Sequence, residues 1–129
     1  MAMTFRIDSE RGIIFADAEG AISDQDLLDH QNAFRRHADF RPDLHQLCDF
    51  RRITSVSGVT TQGIQAFALS NPFSEGARRA ILTADEVVYG LMRMFQLLSE
   101  RQPPEIALFD NDGDALSWLD AGVKPTRSR

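Results

Sequence analysis

A strand-length apolar run that passes at once into a helix, over residues 106–119, limits what this chain can fold into more than any other stretch. Ile106, Ala107, Leu108 and Phe109 form a short apolar run of strand length. The five polar residues 110–114 supply turn and helix-capping chemistry, and Ala115, Leu116, Trp118 and Leu119 then return with helical spacing. Such a unit, closing a chain that alternates in the same way earlier, predicts an α/β layer fold.

The earlier alternation is readable residue by residue. Two β-prone runs, 5–8 and 12–18, are joined by Ser9-Glu10-Arg11-Gly12, a polar turn ending in glycine, and read as a β-hairpin. Ser23-Asp24-Gln25-Asp26 has the S-x-x-D form of a capping box, with Leu27, Leu28, Phe34 and Ala38 as the apolar side of the helix it starts. A strand over 44–50 follows. Next come a hydroxyl-rich turn over 54–61 and a helix carrying Ile64, Phe67, Ala68 and Leu69, which Asn71-Pro72 stops. Residues 79–83 read as another strand, 85–101 as a long helix, and Pro103-Pro104 separates that helix from the final unit. The expectation is a mixed sheet of about five strands with about four helices, in one domain over residues 1–122 with a tail at 123–129.

Composition removes several classes of function. A net charge of −5 over 129 residues argues against nucleic acid, whose binding needs a surplus of Lys and Arg to displace counterions. Arg35-Arg36, Arg51-Arg52 and Arg78-Arg79 stand among acids and read as solvated surface. No window approaches the roughly 18 apolar residues of a membrane span, and no basic segment with an apolar stretch behind it opens the chain, so a cytoplasmic protein is expected. The single cysteine, Cys48, reads as a small buried hydrophobe, because Asp49 beside it would raise a thiol pKa.

Catalytic and metal chemistry find little to attach to. Setting Gly113 on the invariant glycine of a calcium loop puts Leu108 and Leu119 at the first and twelfth ligand positions, so no such site is expected. His30 and His37 are two helical turns apart, about 10 Å by helix rise, and cannot share one ion. Asp26 and His30 have i, i+4 spacing but no visible second pair of ligands. Without a phosphate loop, dinucleotide fingerprint or nucleophile elbow, the chain is expected to be no enzyme and to need no cofactor or metal.

The order of elements and three local patterns resemble the SpoIIAA-like group, the fold shared by STAS domains and related to CRAL-TRIO lipid-binding domains. The patterns are Leu47-Cys48-Asp49-Phe50 entering a Ser/Thr-Gly turn, Tyr89-Gly90-Leu91-Met92-Arg93-Met94 in the long helix, and the closing unit with Phe109-Asp110 and Ala115-Leu116-Ser117-Trp118-Leu119. The resemblance implies a role in protein–protein regulation or in binding an apolar ligand. STAS regulators that antagonise anti-sigma factors carry a phosphorylatable serine in an Asp-Ser-Ser-Gly-like turn. Here Ser57 in Ser55-Val56-Ser57-Gly58 is the nearest match, with valine before it and the acid replaced. A hydroxyl at a helix N-terminus would stabilise an added phosphate, although capping alone also explains Ser57, Thr60 and Thr61.

The second candidate is Tyr89, Gly90, Met92 and Arg93. A glycine inside a helix costs up to about 1 kcal/mol against alanine, which points to a close approach by some group. Tyr89 and Arg93, four apart, share a face that suits an anionic ligand or a partner carboxylate. The long helix also carries more apolar residues than one stripe requires, which fits cover by a homodimer interface or an apolar pocket and equally by neighbouring loops of the chain. The leading reading is a non-enzymatic STAS-like module that binds a protein partner or itself. The alternative is a carrier or sensor of a small apolar or amphipathic ligand whose head group Arg93 would hold.

Overall fold

The computed structural model describes residues 2–122. The tail expected at residues 123–129 lies outside the described residues.

The hairpin forms as its residues dictate. β1 (Met3–Asp8) and β2 (Ile13–Ser23) pair antiparallel, from Met3 opposite Ala18 to Asp8 opposite Ile13. Their turn closes on Gly12, whose φ of 73° lies where a side chain is disfavoured, while its N–H donates to Asp8 O at 2.9 Å. At the other end of β2 the capping box closes on α1 (Asp24–Arg36). Ser23 Oγ accepts from Asp26 N–H at 3.2 Å, and the Asp26 carboxylate accepts from Ser23 N–H at 2.9 Å.

Three further strands then add in chain order: β3 (His45–Gly58), β4 (Arg78–Leu82) and β5 (Glu105–Phe109), each parallel to its predecessor. The result is the expected mixed sheet, ordered β1-β2-β3-β4-β5. Between them run α2 (Thr61–Leu69) and α3 (Glu86–Leu98), and α4 (Asp112–Gly122) follows β5.

Strand alternation sorts the core into two layers. Ala16, Ala18, Cys48, Phe50 and Ile81 face Leu27 of α1, Ile64 and Phe67 of α2, and Val88, Met92 and Phe95 of α3. On the opposite face Ile13, Leu47, Ala80 and Leu82 pack against Ala115 and Leu119 of α4. The closing unit of the sequence therefore fastens the second layer. Asn111 caps α4 by accepting from Asp114 N–H at 2.9 Å, and Asp112 and Asp114 sit in the first turn. No described helix is long and apolar enough to cross a membrane.

β3 differs from the expected strand over 44–50 by running on to Gly58. The long β2 gives it a partner as far as Ser23 opposite Gly58, whereas β4 reaches no further than Leu82 opposite Asp49. Beyond Asp49 the other edge of β3 thus has no described strand beside it, and two N–H groups of this stretch bond to local side chains. Asp49 Oδ1 accepts from Arg51 N–H at 3.0 Å, and Ser55 Oγ from Ser57 N–H at 3.3 Å.

Candidate functional site

Asp85 starts α3 by accepting from the N–H groups of Val87 and Val88, both at 3.1 Å. Val88, Met92 and Phe95, spaced four and three apart, turn into the core. What remains outside is unusually apolar. Val87 (59% exposed), Leu97 (50%), Tyr89 (48%) and Leu98 (41%) all lie on this one helix. Of the large exposed hydrophobics only Leu69, on α2, lies elsewhere among the described residues.

The four residues singled out in the helix separate in space. Tyr89, Gly90 and Arg93 are exposed, but Met92 is 2% exposed and supports the surface from beneath. A Cβ on Gly90 would meet nothing within 4 Å, so no group among the described residues takes up the approach that the glycine permits. Arg93 Nη1 donates to Gln96 Oε1 at 2.7 Å, and Gln96 Nε2 donates to the carbonyl of Ile106 at 2.7 Å. Arg93 thereby steadies a bond between α3 and β5.

Two grooves flank this contact. One, of about 660 Å³, is open and lies between the C-terminal half of α3 and the start of β5, with Arg93, Gln96, Arg101, Ile106 and Ala121 in its walls. The other, of about 460 Å³, lies at the C-terminal ends of β4 and β5, where Tyr89, Leu108 and Phe109 meet Asp85, Glu86, Asp110 and Asp114. In open α/β sheets that end is where ligands generally sit. Tyr89 and Arg93 therefore share a helix flank but line different grooves.

A solved structure matches this arrangement over nearly its full length. The crystal structure of an uncharacterized protein from the DUF3478 family with a SpoIIAA-like fold, from Shewanella loihica, has a TM-score of 0.60 and 17% identity, covering 92% of this chain and 94% of that one. The fold is SpoIIAA-like. No protein-family model and no curated protein matches the sequence. At 17% identity the likeness carries the architecture alone.

Within this SpoIIAA-like frame, Ser57 stands elsewhere than its turn-like surroundings suggest. It is exposed on the open edge of β3, and its hydroxyl lies 3.2 Å from that of Ser55. The start of α2 belongs to Thr60, whose Oγ1 accepts from Gly63 N–H at 2.9 Å. That helix end already holds an anion of the chain itself. The Asp24 carboxylate accepts from Thr60 N–H at 2.9 Å and from Thr60 Oγ1 at 2.7 Å. It lies so close over the helix that a Cβ on Gly63 would come within 1.8 Å of Asp24 Oδ1.

The arginine pairs correct the sequence reading. Arg35, Arg36 and Arg52 are exposed, but Arg79 is 2% exposed and points among the three helices of the first layer. Its Nε donates to Gln46 Oε1 at 2.7 Å and its Nη1 to Gln31 Oε1 at 2.8 Å. The rings of Phe73, Phe95 and Phe67 surround the guanidinium at 4.9, 5.3 and 5.4 Å. Among the described residues no carboxylate pairs with it. Burial brings its pKa down to about 10, which leaves it charged at neutral pH. The amides relay the contact outward: Gln31 Nε2 donates to Ser70 Oγ at 2.7 Å and to Phe67 O at 3.0 Å, and Gln46 Nε2 lies 3.5 Å from His30 Nε2.

Burial, and then the charge of Arg79, push the pKa of His30 down to about 3, so its ring is neutral. Asp26, four residues before it, is committed to the capping box. Cys48 is 3% exposed and burial raises its thiol pKa, in keeping with its reading as a small hydrophobe. Nothing in the sequence around Arg78-Arg79 separated the buried arginine from its neighbour.

Proposed function

We propose that this chain is a non-enzymatic interaction module of SpoIIAA-like fold that binds a protein partner through the outward surface of α3. The observation that carries the reading is the gathering of Val87, Tyr89, Leu97 and Leu98, each more than 40% exposed, on a single helix. Val87, Leu91, Met94 and Leu98 recur at four, three and four residues, the spacing of a seam that another helix or an apolar groove can cover. Monomers rarely leave contiguous apolar surface of this kind open. Tyr89 and Arg93 lie on the opposite flank of α3, toward β5, and stand apart from this seam.

Carriage of an apolar ligand has less support. The space beside Arg93 is an open groove, and Val88, Met92 and Phe95 fill the volume beneath α3. Ser57 enters the proposal as an exposed hydroxyl open to modification. A phosphate there would add charge near a helix start that the Asp24 carboxylate already occupies, and would act by repulsion.

Paired charge substitutions test the reading. Val87→Glu with Leu98→Glu should weaken capture of the partner from the protein's own cells by more than tenfold and leave the melting temperature within a few degrees. Equal capture by the variant and the parent would overturn the assignment to α3. So would a strictly monomeric parent that recovers nothing.

A further inference from the structure

Among the described residues β5 ends the sheet and pairs on one side only, with β4. In a parallel pair, alternate residues address the neighbour. Glu105 N–H donates to Ala77 O at 3.3 Å and Phe109 O accepts from Thr83 N–H at 2.9 Å, so residues 105, 107 and 109 face β4. The peptide groups of Ile106 and Leu108 point away from the sheet. Among the described residues one of them is occupied, the Ile106 carbonyl held by Gln96. Among the described residues the N–H of Ile106 and both groups of Leu108 meet no partner.

An open edge invites pairing with another chain, and natural sheets usually obstruct it. In the stretch of β3 beyond Asp49, the side chains of Asp49 and Ser55 already take the N–H groups of Arg51 and Ser57. β5 is obstructed only where Gln96 holds the Ile106 carbonyl: beyond it Ala107, Leu108 and Phe109 are half-buried apolar residues with no lysine, proline or bulge among them. Nor does this edge face open solvent on both sides. Tyr89, Arg93 and Gln96 of α3 overhang it on one face, and Asp114 and Ala121 of α4 stand at its two ends on the other. Its floor, five residues at strand rise, is roughly 17 Å long and admits an extended segment of about five residues.

The two ends differ in charge. Among the described residues, the groove at the C-terminal end of β5 is lined by Asp85, Glu86, Asp110 and Asp114, with no Lys or Arg in its walls. We propose that the α3–β5 groove binds an extended segment of another protein by strand addition to β5, with a Lys or Arg of that segment seated against these four carboxylates. Backbone bonds to Ile106 and Leu108 hold the segment, and the acidic end sets its register. A second copy fits poorly, since antiparallel pairing of two β5 edges would bring Glu105 of each to the Asp110 end of the other. The groove is also distinct from the Val87, Leu91, Met94 and Leu98 flank, which lies on the other side of α3.

Panning a random hexapeptide phage library on the intact protein tests the inference. Enriched peptides should lack internal proline and end in Lys or Arg. Binding of the synthesised consensus should fall at least tenfold for Glu86→Lys with Asp110→Lys, or when a proline replaces its central residue. Amide hydrogen exchange at Leu108 should slow at least tenfold when it binds. No enrichment, an acidic or proline-bearing consensus, or unchanged exchange at Leu108 would overturn strand addition. A consensus whose binding Val87→Glu abolishes and Asp110→Lys spares would overturn it too, while leaving the α3 surface in place.

Discussion

The α1–α2 side of the molecule and its α3–β5 side solve opposite problems. On the first, polar groups are buried and every one of them is matched: Arg79 reaches Gln31 and Gln46, Gln31 reaches Ser70, and Arg35 holds the Ser70 carbonyl from outside. On the second, apolar groups stand exposed and, among the described residues, the outward N–H groups of β5 go unpaired. Exposed apolar side chains cost a folded domain little, whereas one unmatched buried polar atom costs about 1–3 kcal/mol. Evolution can therefore leave α3 and β5 open for a partner, but must complete the network around Arg79.

Truncating Arg79 should show the largest contrast. Arg79→Ala removes a buried side chain and leaves the amide oxygens of Gln31 and Gln46 without a donor, for an expected loss of about 3–5 kcal/mol. Val87→Glu, on the open side, should change stability by no more than about 0.5 kcal/mol. Urea denaturation of the two variants checks the pair. If Arg79→Ala costs less than Val87→Glu, the network does not close that side. Arg79→Met should lose less than Arg79→Ala, because it refills part of the volume among Phe67, Phe73 and Phe95.

Acid should reach the closed side through His30. Folded, this ring stays neutral down to about pH 3; unfolded, it takes a proton near its ordinary value of about 6.5. Between those values the unfolded chain binds more protons, so stability present above pH 6.5 is lost as pH falls. By pH 4.5 the loss should be about 3 kcal/mol. Asp49, whose carboxyl the Arg51 guanidinium holds below the usual range, loses stability in the same direction at lower pH. Denaturation of the parent and of His30→Gln at pH 7 and pH 4.5 separates the two. Equal slopes in both proteins would remove His30 from the network.

The order of elements was legible because each signal is local. Ser23 and Asp26 close a capping box, Gly12 ends a hairpin turn, and Asn111 with its acids starts α4. The surplus of apolar residues in α3 was legible too, since helical periodicity needs only one stripe. Other features depended on contacts distant in sequence. Arg79 meets Gln31 across 48 positions and Thr60 meets Asp24 across 36, so neither local composition nor periodicity could show that an arginine is buried or a helix end occupied. The end of β3 was misjudged for the same reason. Its hydroxyl-rich residues resemble a turn until β2 is set beside them. Met92 entered the candidate surface by adjacency to Tyr89 and Arg93, although the helix turns it inward.

The smallest effect probes how α1 and α2 are tied together at their starts. Asp24 accepts two hydrogen bonds from Thr60, and the room for its carboxylate exists because residue 63 has no side chain. Gly63→Ala forces Asp24 aside, losing about 1–2 kcal/mol of charge-assisted hydrogen bonding against up to about 1 kcal/mol gained in helix propensity, a net loss near 0.5–1 kcal/mol. Asp24→Ala removes the carboxylate and with it the obstruction, so the same Gly63→Ala change should then stabilise by about 0.5–1 kcal/mol. The sign of one substitution is thus set by the presence of another, and a double-mutant cycle measured by chemical denaturation reads the coupling directly. Gly63→Ala with one sign in both backgrounds would mean that Asp24 holds no place over α2, and the positive end of that helix would then be as open to a phosphate as the sequence suggests.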